Sequence, residues 1–232
     1  MKYDGNVVAG GPSQTRLTTD LEITKISVGP MDNNAYLLRD RKSGETLLVD
    51  AANEPERLIE LTGGKLDNVL TTHCHADHWL GLEQVVAATG ATTYAAEPEV
   101  TEIPIATDVA LHDGDKIRLG DTTLEVAWLT GHRASYLEHV STSAALIYRD
   151  PDGSAHVFAG DCLFPGGIGN TCDDPAAFTQ LLGDVSAKLF DVLPDETKVY
   201  PGHGIDTTLG SERHLLEQWG QRGWQSARGD RM

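Results

Sequence analysis

The sequence predicts a mixed α and β domain, and three observations carry that prediction. Two runs of short apolar or alternating segments, broken by turn residues, read as consecutive strands. Segments with apolar residues at helical spacing lie between and after them. No internal stretch is rich enough in Pro, Gly or Ser to mark a linker within the 232 residues. Residues 21–232 are therefore expected to form one domain behind a flexible N-terminal arm, residues 1–20.

Taken in order, residues 21–28, 35–39 and 46–50 are the first strands, split by Gly29-Pro30, Asp32-Asn33-Asn34 and Lys42-Ser43-Gly44; the third ends on Asp50. Residues 54–61 carry Leu58 and Leu61 into a short helix that stops at Gly63-Gly64. The apolar pair Val69-Leu70 then feeds the stretch Thr71-Thr72-His73-Cys74-His75-Ala76-Asp77-His78. Residues 80–88 read as a helix with Leu82, Val85 and Val86 inward, ending at Gly90. Strands near 92–95, 116–119 and 122–129 follow, with Asp-Gly and Gly-Asp turns between them. Asp150-Pro151-Asp152-Gly153 turns a hairpin between residues 144–148 and 155–159, and the second strand runs into Gly160-Asp161. Residues 175–189 form a helix opened by Asp173-Asp174-Pro175, whose carboxylates suit the positive end of the helix dipole. Residues 197–200 are one more strand, delivering Pro201-Gly202-His203-Gly204, and residues 211–219 a last amphipathic helix.

A formal net charge of −17 opposes nucleic-acid and anionic-membrane partners, which require clustered Lys and Arg. Residues 1–12 contain no apolar core of signal-peptide length, and no run of 18 apolar residues occurs, so a cytoplasmic location without membrane contact is expected. Three cysteines cannot all pair with one another, which fits reduced thiols.

The chemistry concentrates at residues 73–78. In an extended segment alternate side chains share a face, so His73 and His75 can grip one ion while Cys74 points away. Asp77 and His78 fall where the chain leaves the strand, within reach of a second ion. The spacing excludes a helical site, which needs histidines four apart. A histidine-rich strand end can also arise as a solvated loop, so the rest of the chain must supply further ligands.

The run His73-x-His75-x-Asp77-His78 resembles that of the metallo-β-lactamase fold superfamily, whose members include β-lactamases, glyoxalase II, lactonases and persulfide dioxygenases. The resemblance spans residues 21–219, with motifs at four separated places. It implies an α/β (α+β) fold, an αββα sandwich of two mixed β-sheets with helices on the outer faces. It also implies the remaining ligands: His132 after Gly131, Asp161 in Phe158-Ala159-Gly160-Asp161, and His203 in Pro201-Gly202-His203. Metal one would take His73, His75 and His132, and metal two Asp77, His78 and His203, with Asp161 bridging them. The chain departs from the family's usual Thr-Pro-Gly-His-Thr-Pro-Gly-Ser turn, because Arg133-Ala134-Ser135-Tyr136 follows His132 and the better match lies at His139-Val140-Ser141-Thr142-Ser143. His139 is therefore a rival ligand; His132 is preferred because its distance from the preceding strand is unchanged, leaving residues 133–143 as an outward loop bordering the site. Asn34-Ala35-Tyr36 and the loop Gly166-Gly167-Ile168-Gly169-Asn170 resemble cleft-lining segments, although turn-forming glycines are as common without function. His112, His156 and His214 match no motif and are expected to be structural, while Cys74 and Cys162 pack as small apolar groups.

The resemblance implies a metallo-hydrolase similar to glyoxalase II. A metal-activated hydroxide, oriented by Asp77 as the catalytic residue that takes up its proton, attacks the carbonyl of a small thioester or lactone. Two zinc ions are the expected cofactors, with iron or manganese suiting the same ligands. Only 29 residues follow His203, where glutathione-dependent members continue into a helical domain, so glutathione recognition does not follow from the resemblance. The alternative is a mononuclear iron oxidoreductase resembling persulfide dioxygenases, built on His73, His132 and Asp161. β-Lactamase activity is the weaker alternative, since a secreted enzyme is expected to carry a signal peptide. The expected partner is a small-molecule substrate, with a monomer or a homodimer equally compatible.

Overall fold

The computed structural model describes residues 3–132 and 141–223. The chain starts with an antiparallel meander of β1 (Gln14–Leu17), β2 (Leu21–Val28), β3 (Asn33–Asp40) and β4 (Thr46–Val49). Helix α1 (Pro55–Thr62) opens on a proline, whose missing N–H would be unpaired there in any case, and ends at Gly63. Strand β5 (Asn68–Thr71), helix α2 (Leu82–Thr89), β6 (Thr92–Ala96) and β7 (Val109–Leu111) complete a seven-stranded sheet in chain order. Its last four strands run parallel, which requires crossover connections; α1 and α2 supply two of them.

The second sheet begins with β8 (Lys116–Leu119), β9 (Thr122–Thr130), β10 (Thr142–Arg149) and β11 (Ala155–Gly160), each antiparallel to the one before. A small hairpin, β12 (Leu163–Phe164) and β13 (Gly167–Ile168), precedes α3 (Pro175–Val185). The chain then returns as β14 (Lys198–Pro201), parallel to β11, with β15 (Thr207–Thr208) on the edge and α4 (Leu209–Arg213) and α5 (Leu216–Arg222) closing the described region.

Alternation along the strands makes this a four-layer αββα sandwich. Inward positions such as Leu21, Tyr36, Leu38 and Leu70 of the first sheet pack against Leu124, Val126, Leu146 and Phe158 of the second. The intervening positions face outward: Leu37, Leu48 and Val69 lie under Leu58 and Val85 of α1 and α2, and Ile147, Val157 and Val199 lie under Leu181, Val185 and Trp219. Each buried large apolar side chain contributes about 1.5–3 kcal/mol, so the three clusters together hold both sheet faces.

Three local details differ from the sequence reading. Part of the arm at residues 1–20 is the strand β1, whose Gln14 is 7% exposed. The single helix at residues 211–219 is two short helices, interrupted at His214 and Leu215. The helix from Pro175 ends at Val185 and continues as a π-helical turn, Ser186–Phe190. Strands β7, β12, β13 and β15 have two or three residues each, too few for alternation to show in the sequence.

The sandwich positions the site through its strand ends. Residues 73–78 follow β5, His132 follows β9, Asp161 follows β11 and His203 follows β14. All four segments leave their sheets at one edge of the sandwich and converge there.

Candidate metal centre

Strand β5 ends at Thr71, and His73, Cys74 and His75 lie in the loop beyond it. His73 Nε2 and His75 Nδ1 approach to 3.0 Å, while Cys74 packs into the outer apolar cluster beneath α2. Asp77 and His78 sit in the 3-10 turn Ala76–His78. His132 is carried past the end of β9 by Gly131, where a Cβ would lie 2.3 Å from the Ala177 carbonyl oxygen of α3; the helix packs so closely only because the residue is glycine.

The ligating atoms form three groups, two separate triads and a third, His73, His78 and Asp161, that joins them. Those of His73, His75 and His132 lie within 4.8 Å of one another, as do those of Asp77, His78 and His203. Asp161 stands between them, with Oδ1 3.4 Å from His78 Nε2 and Oδ2 3.6 Å from His132 Nε2 and 3.3 Å from His203 Nε2. These are the residues the sequence reading assigned to two ions, and the structure brings all seven together. His139, the rival to His132, lies outside the described residues, as does most of the 133–143 loop.

Four imidazoles have their proton placed by outer partners. His78 Nδ1 donates to Asp50 Oδ2 at 2.8 Å, His132 Nδ1 to the Asn170 carbonyl at 2.9 Å, and His203 Nδ1 to the Met31 carbonyl at 2.9 Å. The Thr72 hydroxyl donates to Asp50 Oδ2, so its oxygen accepts from His73 Nδ1 at 3.0 Å. Each ring is thereby committed to an N–H on its outer nitrogen, and its Nε2 faces the centre with a lone pair or an exchangeable proton.

Charge divides across the cluster. Burial, reinforced by neighbouring imidazoles, holds His73 well below the usual imidazole range and pushes His75 down to about 3; burial also lowers His132. These three rings are neutral at pH 7. His78 and His203 go the other way: burial disfavours their charge, but Asp161 and Asp50 raise His78, and Asp161 and Asp77 lift His203 to about 10. Burial would likewise raise the two carboxylates; His203, His78 and Asn33 hold Asp77 well below its ordinary range, and His78 and His203 do the same for Asp161.

The donor set fits divalent metal. Two ligands held at 2.0–2.1 Å by one tetrahedral ion lie about 3.4 Å apart, and the separations about Asp161 run from 3.3 to 3.6 Å. That is too long for good charge-assisted hydrogen bonds. His78 Nε2 and Asp161 Oδ1 are both buried with no hydrogen-bond partner, the condition of atoms shaped to share a cation. Imidazole with carboxylate suits zinc, iron or manganese alike.

The sequence reading missed several residues that complete the centre. Asn33 Nδ2 donates to Asp77 Oδ2 at 2.9 Å, and Asp50 anchors Thr72 and His78 together. Glu99, 0% exposed, accepts from the Cys74 and Thr142 amides at 2.8 and 2.7 Å and so joins the histidine loop to β10. Only Asp50 had a visible signal, a carboxylate at a strand end. Asn34 and Tyr36, read as cleft-lining, are instead buried and bond the Pro201 carbonyl. His156 is buried against the Tyr200 hydroxyl at 2.9 Å, His112 and His214 are exposed, and the Cys74 and Cys162 thiols are pushed up to about 12 by burial, which keeps them protonated.

Comparison with known proteins agrees with this geometry. Residues 28–203 match the profile of the metallo-beta-lactamase superfamily. A hydroxyacylglutathione hydrolase of Fuscovulum blasticum is 34% identical over 175 residues, 74% of this chain and 62% of the relative. That of Methylococcus capsulatus is 36% identical over 185 residues, 79% of this chain and 66% of the relative. The chain thus spans somewhat under two thirds of these relatives' length. Among solved structures, TTHA1623 in a di-iron-bound form superposes with a TM-score of 0.62 at 31% identity, covering 82% of this chain and 96% of that one. No helix among the described residues is long and apolar enough to cross a membrane.

Proposed function

The chain belongs to the metallo-β-lactamase superfamily, and from that premise we propose that it is a metal-dependent hydrolase of small thioesters or lactones, similar to glyoxalase II. The observation that carries the reading is the convergence of five imidazoles on Asp77 and Asp161, with His78 Nε2 and Asp161 Oδ1 left unpaired 3.4 Å apart. His73, His75 and His132 would hold one ion, and Asp77, His78 and His203 the other, with Asp161 shared. When bound, such ions lower the pKa of a water from 15.7 toward about 7 and polarise an acyl carbonyl. Asp77, with its side chain 20% exposed against 11% for Asp161, is the more exposed of the two carboxylates. Its Oδ2 is fixed by Asn33 and faces His203 Nε2 at 3.3 Å. Asp77 therefore orients the attacking water by accepting its hydrogen bond and passes that proton toward the leaving thiolate or alkoxide. Neither a Ser nor a Cys nucleophile is needed, and the buried, protonated Cys74 and Cys162 are unsuited to that role.

The hydroxyacylglutathione hydrolase relatives support a thioester as substrate, and the di-iron form of TTHA1623 supports two ions per chain. Zinc is the metal proposed here, and the cytoplasm the location.

The test is metal content and hydrolysis measured together. Protein purified without chelators should carry close to two ions per chain, fall toward one in His203→Ala and in His132→Ala, keep both in His139→Ala, and cleave members of a thioester and lactone panel. One iron per chain, indifferent to His203→Ala, together with oxygen consumption on persulfides, would overturn the reading in favour of the mononuclear oxidoreductase.

A further inference from the structure

We propose that Lys25, pinned by residues 3–7 of the N-terminal segment, positions His203 and so sets the affinity of the second metal site. The inference rests on the metal-centre reading above and adds to it residues outside the matched span 28–203.

His203 sits in a loop held on one side by both sheets: the Gly202 amide donates to the Gly160 carbonyl at 2.9 Å, and the Asn34 amide to the Gly202 carbonyl at 2.7 Å. On the other side, the Gly204 carbonyl accepts from Lys25 Nζ at 2.7 Å and Asn34 Nδ2 at 2.9 Å. The Lys25 side chain is 0% exposed. Its three ammonium protons have three acceptors, the Gly204 carbonyl, the Gly5 carbonyl at 2.8 Å and Asp206 Oδ1 at 2.6 Å. A buried ammonium left partly unpaired is strongly destabilising, so the three acceptors are held to one point as a unit.

The N-terminal segment closes this arrangement. The Tyr3 hydroxyl donates to the other Asp206 oxygen at 2.6 Å, and Gln14 of β1 bonds Asp4 and Asn6. Gly5 is buried at φ 78, and a Cβ there would lie 2.8 Å from the Asp206 carboxylate; only glycine allows the segment to come so near. The segment therefore bears on Asp206 and Lys25, Lys25 bears on Gly204, and Gly204 adjoins His203. The first triad rides on other loops, so the effect is selective. Lys25 is a positioning residue here, acting through the backbone beside a ligand.

The experiment titrates chelator-stripped protein with Zn2+ against a competing chromophoric chelator and resolves two affinities. Lys25→Met combined with Asp206→Leu removes the ion pair without stranding a charge. Gly5→Ala forces the segment and the Asp206 carboxylate apart while keeping both residues of the ion pair. Both should weaken the second ion about tenfold or more, the scale for partners that orient a ligand, and leave the first ion's affinity unchanged, with the visible spectrum of the Co2+-loaded protein changing only for the second equivalent. Unchanged affinities for both ions in both folded variants would overturn the proposal. So would an equal loss at both positions in step with the melting temperature, which is what a merely structural role produces. Wild-type protein that binds fewer than two ions, or His203→Ala that still binds two, would remove the metal-centre premise itself and the proposal with it.

Discussion

Metal uptake at the second site should release protons and strengthen with pH, whereas uptake at the first site should not. Without an ion, His203 Nε2 lies 3.3 Å from both Asp77 Oδ2 and Asp161 Oδ2, and the two carboxylates lift its pKa to about 10. His78 is raised by Asp161 and Asp50 in the same way. An ion at Asp77, His78 and His203 needs the lone pairs that those protons occupy. Removing the His203 proton at pH 7 opposes binding by about 4 kcal/mol, from about 1.36 kcal/mol per unit over three units. The sign follows: protons leave as metal enters, so raising the pH favours the metal, by about tenfold per unit for each proton displaced. At the first site His73, His75 and His132 are already neutral at pH 7, with His75 down at about 3, so the first affinity should be flat. Titration calorimetry with Zn2+ from about pH 7 to about pH 9, in buffers of differing ionisation heat, counts the released protons directly. A second affinity that does not move over that range, or no proton release, would refute the charge assignment at His78 and His203.

Two substitutions probe the surroundings of the centre. In Gly202→Ala the added methyl would fall 2.1 Å from Asp161 Oδ1 and 2.8 Å from His78 Cε1, so the protein should fold but lose the second ion and most hydrolysis, read by metal content and circular dichroism together. Asp50→Asn replaces an acceptor facing three donors, the Thr72 amide and hydroxyl and His78 Nδ1, with a group that must turn N–H toward one of them. Metal affinity should drop by about 10–100-fold, and an unchanged affinity would show that the tautomers of His73 and His78 are set elsewhere.

The first ligands were legible from local pattern, and the distant ones because their motifs at strand ends resemble those of a known family. His73, His75, Asp77 and His78 follow an apolar strand within six residues, and Asp161 and His203 follow apolar runs closed by glycine. Period-two alternation likewise exposed β9, and short apolar runs exposed β10 and β11, which are buried on both faces. What supports the ligands was not legible. His132 and His203 are oriented by the backbone carbonyls of Asn170 and Met31, and a carbonyl is present in every residue, so no sequence signal marks the ones that serve. Lys25 reads as a surface charge on a strand, yet folding buries it between Gly5, Gly204 and Asp206, positions up to 181 residues away in the chain. Side-chain type and strand period are local properties, and by themselves they determined a mixed α and β domain and the cluster at residues 73–78; the αββα layers and the ligands His132, Asp161 and His203 came with the resemblance to the metallo-β-lactamase superfamily. Which distant partner meets each outer nitrogen or buried charge depends on how the two sheets and the N-terminal segment pack, and only the tertiary structure decided that.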